Sequence, residues 1–347
     1  MTKQVVYVES FAQPAFTGAL SRHADVRLTG VSARSSDPEA EAALANAHAY
    51  HVSSSVNEVD PGYLVNAGLL ARTPNLLVVS TMGAGYDTVD VPACTSAGVI
   101  VVNQGGGGNA EAVAEHVLGM MLGLIKHMPD AGRRMRRAPG IKRIDYIGRN
   151  ALGRTIGIIG LGQVGRRLCE LCRAALSMRV LVYDPGRSRE ELLRLGAEGI
   201  GLDELLGRSD FVSVCCSLTD TTRGMIGRKE FALMKKDAYF ITTARGGIHD
   251  EAALVDALRE HRIAGAGVDV WDVEPPPPDH PLLGFDNVIA TPHIAGSTIE
   301  SRTQAAEGAA QQILDVLSGK RPSRLLNPEA WERFRARFER QFGFMPI

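Results

Sequence analysis

The segment Gly160-Leu161-Gly162-Gln163-Val164-Gly165 limits the fold of this chain more than any other. It stands between an apolar run, Ile156–Ile159, and a stretch with Leu168, Leu171 and Cys172 at helical spacing. Glycines in a strand-to-helix turn permit a tight bend, close approach of backbone to a pyrophosphate, and close packing of helix on strand. The helix N-terminus then offers unpaired N–H groups and a positive dipole to the phosphates. Gly160, Gly162, Gln163, Val164 and Gly165 are therefore candidate dinucleotide-binding residues. The next strand-like run, Arg179–Tyr183, ends at Asp184, about 20 residues past the last glycine, where a carboxylate accepts hydrogen bonds from an adenosine ribose. Asp184 favours NAD, because it would repel a 2′-phosphate; Arg187 and Arg189 nearby keep NADP open.

The surrounding pattern repeats this unit. In the first hundred residues Val5–Val8, His51–Ser53, Leu76–Val79 and Val99–Val102 read as buried strands, with helices near 12–23, 60–70 and 90–97 between them. A long helix over about 109–127 and a basic stretch with Arg133-Arg134 and Arg136-Arg137 follow. The basic stretch reads as a solvated helix face. A second series of strands then runs through Ile156–Ile159, Arg179–Tyr183, Phe211–Val214, Tyr239–Thr242, Gly265–Val268 and Val288–Ala290. Pro275–Pro278 is a rigid loop, 298–318 another long helix, and the tail a short charged helix. Strands alternating with helices predict an α/β fold with doubly wound parallel sheets. A length of 347 residues predicts two domains. Glycine is in excess, 37 residues where about 7% is usual.

With 38 basic and 39 acidic residues the formal charge is −1, which gives no reason to expect a nucleic-acid or membrane partner. The longest apolar-plus-glycine run near the middle, Val117–Ile125, is far short of the ~20 residues of a membrane span. The N-terminus has no signal-peptide pattern, and the five cysteines (Cys94, Cys169, Cys172, Cys215, Cys216) read as reduced thiols, so a cytoplasmic home is expected. Cys169-x-x-Cys172 has redox or metal spacing but lies in an apolar helical pattern without a second pair. It reads as two buried cysteines, and no metal site is expected.

Three polar residues follow strand-like runs of the second series: Arg245, Glu274 and His293. Ligands of doubly wound sheets gather at such carboxyl ends. Oxidising a 2-hydroxy acid needs a base near neutral pH for the hydroxyl proton, which histidine supplies. A carboxylate beside it stabilises imidazolium, and a guanidinium fits the planar oxygens of a 2-keto acid. Singly, each has a plainer reading: a surface ion pair for Arg245, a loop charge for Glu274, a capping or packing histidine for His293.

Taken in order, the motifs Gly160–Gly165, Ser217-Leu218-Thr219-Asp220-Thr221-Thr222, Ala244-Arg245-Gly246-Gly247, Gly267-Val268-Asp269-Val270 with Glu274-Pro275, and Thr291-Pro292-His293-Ile294-Ala295-Gly296 resemble the D-isomer-specific 2-hydroxyacid dehydrogenase family. Asn109 and Ala112-Val113-Ala114-Glu115-His116 also match, so the resemblance covers nearly the whole chain. It implies Arg245, Glu274 and His293 as catalytic trio, with His293 the general acid–base. It further implies that Asp269 holds the nicotinamide carboxamide and that Cys216, Ser217, Thr222 and Ala244 join the cofactor surface. Gly83 and Ala84, in Met82-Gly83-Ala84-Gly85-Tyr86-Asp87, would offer amides to the substrate carboxylate. The implied architecture is two Rossmann-like or flavodoxin-like domains. A substrate domain of 1–104 and 297–347 would be interrupted by an NAD-binding domain of 105–296. The two long helices, and the glycine run Gly105–Gly108, would serve closure. A homodimer, paired partly through the segment after the first long helix, is implied as well. His116 reads as a packed helix-end histidine.

The chain also departs from the family pattern. Relatives oxidising 3-phosphoglycerate carry an arginine in a stretch like Val-Arg-Ser; here Val52-Ser53-Ser54-Ser55 has no cation, so phosphoglycerate is not the expected main substrate. Pro139-Gly140-Ile141-Lys142 occupies the region where many relatives have a tryptophan, which leaves the substrate side-chain pocket open. The formate-oxidising branch has glutamine in place of Glu274. The expected partner is a small 2-hydroxy or 2-keto acid of the glyoxylate or hydroxypyruvate kind. The rival is an NADH-sensing protein like the corepressors that share this fold.

Overall fold

The computed structural model describes residues 2–9, 13–32, 37–105, 108–137 and 139–347. The chain forms two compact units, one of Met1–Gly108 and Ile299–Ile347, the other of Asn109–Thr298. In sequence the second lies between the two pieces of the first. Gly106 and Gly107 of the glycine run, and residue 12 of the first expected helix, lie outside the described residues.

The first unit holds β1 (Lys3–Val8), β2 (Val26–Val31), β3 (Ala49–Val52), β4 (Val78–Thr81) and β5 (Ile100–Val102). They form one parallel sheet in the order β2-β1-β3-β4-β5. The sequence reading missed β2, because Val26-Arg27-Leu28-Thr29-Gly30-Val31 is an edge strand whose half-exposed side chains give a weak apolar signal. The expected helix over 60–70 is instead a pair of 3₁₀ turns, Val56–Glu58 and Pro61–Tyr63, followed by the helix Ala67–Arg72. Asn66 sets that start: its side chain accepts from the amides of Gly68 and Leu69. The tail helix Trp331–Phe342 is charged on one side only, since Phe334 and Phe338, one turn apart, are fully buried in the core of this unit.

The second unit holds β6 (Thr155–Ile159), β7 (Arg179–Tyr183), β8 (Glu198–Gly199), β9 (Phe211–Val214), β10 (Tyr239–Thr242), β11 (Gly265–Val268) and β12 (Val288–Ala290). Their order is β12-β11-β10-β9-β6-β7-β8, again all parallel. The two-residue β8 is too short to leave a pattern in the sequence. Helices cover both faces. Ala110–Ile125 and Gln163–Leu176 bury Val117, Met121, Leu168 and Cys172 against one face of the sheet. Leu205, Leu254 and Leu258 pack against the other.

Register is what makes a site possible here. Ile159 pairs with Tyr183 and Val214, Thr242 with Val214 and Val268, and Val268 with Ala290. The last residues of six strands are thus level. The residues that follow them emerge along one edge: Gly160, Asp184, Cys215, Thr243, Asp269 and Thr291.

Candidate active site

At the end of β6, Gly160 has φ +91°, a conformation costly for any side chain. A Cβ there would lie 2.8 Å from the Cys216 backbone. Gly165 faces the same crowding, with a Cβ position 2.3 Å from the Gly160 carbonyl oxygen. At Gly162, which starts the helix Gln163–Leu176, a Cβ would meet nothing within 4 Å, and no side chain caps this helix. The space in front of the first helical amides, at Gln163 and Val164, is thus a backbone-lined cradle that fits a pyrophosphate.

Asp184 Oδ2 accepts from the Leu161 amide at 2.8 Å and Oδ1 from the Gly186 amide at 3.0 Å, so the carboxylate is locked beside the glycine turn. Arg187 lies 3.5 Å from Asp184 but pairs more closely with Glu191, which also draws Arg166. The arginine that approaches Asp184 is therefore already engaged by a carboxylate, which fits NAD better than NADP. On the neighbouring loop the Thr222 hydroxyl donates to the Ser217 carbonyl at 2.7 Å and accepts from the Thr219 amide at 2.7 Å, so it shapes the loop. Burial pushes the Cys216 thiol up to about 11 and Cys215 up to about 12, which leaves both as neutral packing groups. The same cause raises Cys172 to about 12, and both cysteines of the C-x-x-C spacing are buried.

The trio is assembled in this unit. Glu274 Oε2 lies 2.8 Å from His293 Nδ1, while Oε1 accepts from the Trp271 amide at 3.0 Å. An ionised carboxylate only accepts, so Nδ1 carries the proton and Nε2 is left with the lone pair. Burial pushes the Glu274 carboxyl up. The hydrogen bond and charge of His293, the Trp271 amide and the Arg245 guanidinium outweigh it and hold the group below its ordinary value. Arg245 itself donates to the Ala244 carbonyl at 2.7 Å. Its loop lies so close to the next that a Cβ on Gly246 would be 2.1 Å from the Trp271 carbonyl oxygen.

His293 sits at φ +55°, unusual for a residue with a side chain, and its ring is about one-third exposed. Asp269 holds it there. The Asp269 carbonyl accepts from the His293 amide at 2.8 Å, and the carboxylate accepts from the amides of Ile294 and Ala295, each at 2.9 Å. The carboxylate expected to face the nicotinamide is therefore fully buried here, its oxygens committed to the His293 loop. Sequence reasoning missed Trp271 and Thr291. The Trp271 indole donates to the Thr291 carbonyl at 3.0 Å, tying the Glu274 loop to the His293 loop. Gly83 and Ala84 belong to the five-stranded unit, in the loop after β4. Among the described residues no group of histidine, cysteine and carboxylate side chains could hold a metal ion. None of their helices is long and apolar enough to cross a membrane.

A parallel α/β sheet with a backbone cradle, an aspartate locked beside its glycine turn and a histidine–carboxylate pair at one edge defines a nicotinamide-dinucleotide oxidoreductase class. The family model for the D-isomer specific 2-hydroxyacid dehydrogenase NAD binding domain matches residues 118–295. The chain is 39% identical over 255 residues to a D-3-phosphoglycerate dehydrogenase of Archaeoglobus fulgidus, covering 74% of this chain and 48% of the relative. It is 38% identical over 271 residues to a glyoxylate reductase of Aeropyrum pernix, covering 76% and 80%. The crystal structure of D-lactate dehydrogenase from Aquifex aeolicus, complexed with NAD and lactic acid, superposes with a TM-score of 0.79 at 28% identity, covering 93% of this chain and 99% of that one. The chain belongs to the D-isomer specific 2-hydroxyacid dehydrogenase family, and its cofactor is NAD. It spans about half the length of the phosphoglycerate dehydrogenases it matches.

Proposed function

We propose that this protein interconverts a small D-2-hydroxy acid and its 2-keto acid, of the glyoxylate or hydroxypyruvate kind, with NAD. The observation that carries this reading is the 2.8 Å pair of His293 Nδ1 and Glu274, which leaves the lone pair on Nε2 of a partly exposed ring, with the Arg245 guanidinium acting on the same carboxylate. The bound nicotinamide supplies or takes up the hydride at the substrate C2. In the reducing direction protonated His293 gives its Nε2 proton to the carbonyl oxygen. In the oxidising direction Nε2 takes the hydroxyl proton, and Glu274 stabilises the imidazolium. Arg245 grips the carboxylate and polarises the carbonyl, and the amides of Gly83 and Ala84 are assigned to the carboxylate. The cofactor rests on Gly160, Gly162, Gln163, Val164 and Gly165 through its pyrophosphate and on Asp184 through its ribose. Cys216, Ser217, Thr222 and Ala244 lie along its path. The carboxamide role of Asp269 would require its carboxylate to share its present hydrogen bonds.

Phosphoglycerate is not the main substrate in this reading. Ser53, where such relatives place a cation, is buried and donates to Glu58, so a phosphate would meet a carboxylate. In this proposal the substrate role goes to 1–104 with 297–347 and the NAD role to 105–296. Exposed Met135, Ile144, Ile147 and Leu152 after the first long helix support a homodimer, and five free cysteines support a cytoplasmic setting.

Turnover of a panel of 2-keto acids by wild type and His293→Ala, with NADH and NADPH, tests the proposal. The variant should lose about 10²–10⁴-fold in kcat while binding NADH nearly normally. Full activity in the variant would refute the assignment. A wild type that binds NADH yet turns over nothing on the panel would point to the sensing role instead.

A further inference from the structure

His116 projects from the helix Ala110–Ile125 with its ring partly exposed, and its Nε2 lies 3.2 Å from the Thr291 hydroxyl. That hydroxyl is also 2.5 Å from Asp269 Oδ1. A threonine hydroxyl has one proton to give and an ionised carboxylate none, so the proton goes to Asp269. Nε2 of His116 must then be the N–H donor to Thr291. The same Asp269 oxygen accepts the Ile294 amide, its neighbour accepts the Ala295 amide, and its backbone carbonyl accepts the His293 amide. Three links thus run from a helix to a loop 175 residues away, ending on the one residue of that loop held at positive φ.

We propose that His116 is a positioning residue for proton transfer. By donating to Thr291 it fixes the Thr291–Asp269 bond, and through it the pose in which His293 meets the substrate. The inference rests on His293 being the acid–base group. It departs from the plainer reading of His116 as a packed histidine, for which the ring's hydrogen-bonding would be immaterial.

The two readings separate on hydrogen-bond chemistry at similar size. The variants are His116→Leu, which removes the donor; His116→Gln, which keeps an N–H at similar reach; Thr291→Val; and the His116→Leu/Thr291→Val double. Each is assayed as the full chain with glyoxylate or hydroxypyruvate and NADH for kcat and KM, and by fluorescence titration for NADH affinity. Positioning predicts that His116→Leu lowers kcat about tenfold with KM and NADH affinity changed less than about twofold, because displacing a reacting group slows chemistry more than binding. His116→Gln recovers most of that loss, and the double variant is no slower than the worse single one. Equal kcat for His116→Leu and His116→Gln, a fully additive double variant, or a loss of NADH affinity matching the loss of kcat would each overturn the proposal. His293→Ala separates this from the underlying reading. If it keeps turnover, the acid–base assignment fails; if it is inactive while His116→Leu is normal, only the positioning role fails.

Discussion

The two parallel sheets are wound alike but end in different chemistry. In the seven-stranded unit, strand ends deliver a left-handed glycine, Asp184, Arg245, buried Asp269 and the His293 loop to one level edge. In the five-stranded unit the ends of β3 and β4 carry Ser53, Ser54, Met82 and Gly83, without an ionised group. Its most deeply buried histidine, His51, is a core side chain instead. It stacks on Phe16 at 4.2 Å between ring centroids and bonds Ser80 at 3.2 Å. A shared fold therefore supplies the geometry of a strand-end site, while the residues placed there decide whether it does chemistry.

The sharpest way to break this contrast is to damage one edge at its turn. Gly160→Val places a Cβ at φ +91° against the Cys216 backbone. Strain and overpacking together come to about 4 kcal/mol, so NADH affinity should fall about 1,000-fold. Gly83→Ala should leave NADH affinity unchanged and raise only the KM for the keto acid. Isothermal titration and steady-state kinetics read both; an NADH defect in Gly83→Ala would contradict the division of roles.

A second contrast is acid sensitivity. Burial lowers His51 to about 4, below the ordinary 6.5. The unfolded chain takes up a proton near pH 6.5 while the folded one resists until about 4. The stabilisation is therefore full above pH 6.5 and lost progressively between 6.5 and 4. Its size is about 3 kcal/mol, at 1.36 kcal/mol per unit. Glu274 is lowered, so its contribution is present above its ordinary value and is lost only at more acid pH. Urea denaturation at pH 7 and pH 4.5 should show the drop, and His51→Leu should shrink it. An undiminished drop in that variant would remove His51 as its source.

The smallest effect compares two buried histidines. His249, in the seven-stranded unit, is 1% exposed, tilts against Phe240, and has no hydrogen-bond partner on either ring nitrogen. Leaving a buried polar atom unpaired costs about 1–3 kcal/mol. His249→Leu should accordingly raise stability at pH 7 by about 1 kcal/mol, whereas His51→Leu, which severs the bond to Ser80, should lower it. Matching signs in thermal melts would show that the partner count is not what distinguishes them.

The same contrast explains what could be read in advance. Strand, glycine turn, helix and Asp184 lie within about thirty residues, and Arg245, Glu274 and His293 each come after a buried strand, so local pattern marks their positions. The edge strand β2 and the two-residue β8 lack enough buried side chains to stand out. The Trp271–Thr291 and Thr291–Asp269 bonds join residues from separate loops. Sequence shows that an aspartate stands at 269 but not that its oxygens turn inward, because that depends on where distant amides fall in space.

His293 combines the proposed chemistry with a backbone conformation that a side chain makes costly by about 1–2 kcal/mol. Glycine alone would occupy that conformation at no steric cost. In a library sorted only for survival on heating, position 293 should drift to glycine and activity should vanish as melting temperature rises. Directed evolution of this protein for robustness therefore needs a turnover screen at every round, since a step that relieves this backbone also ends the proposed chemistry.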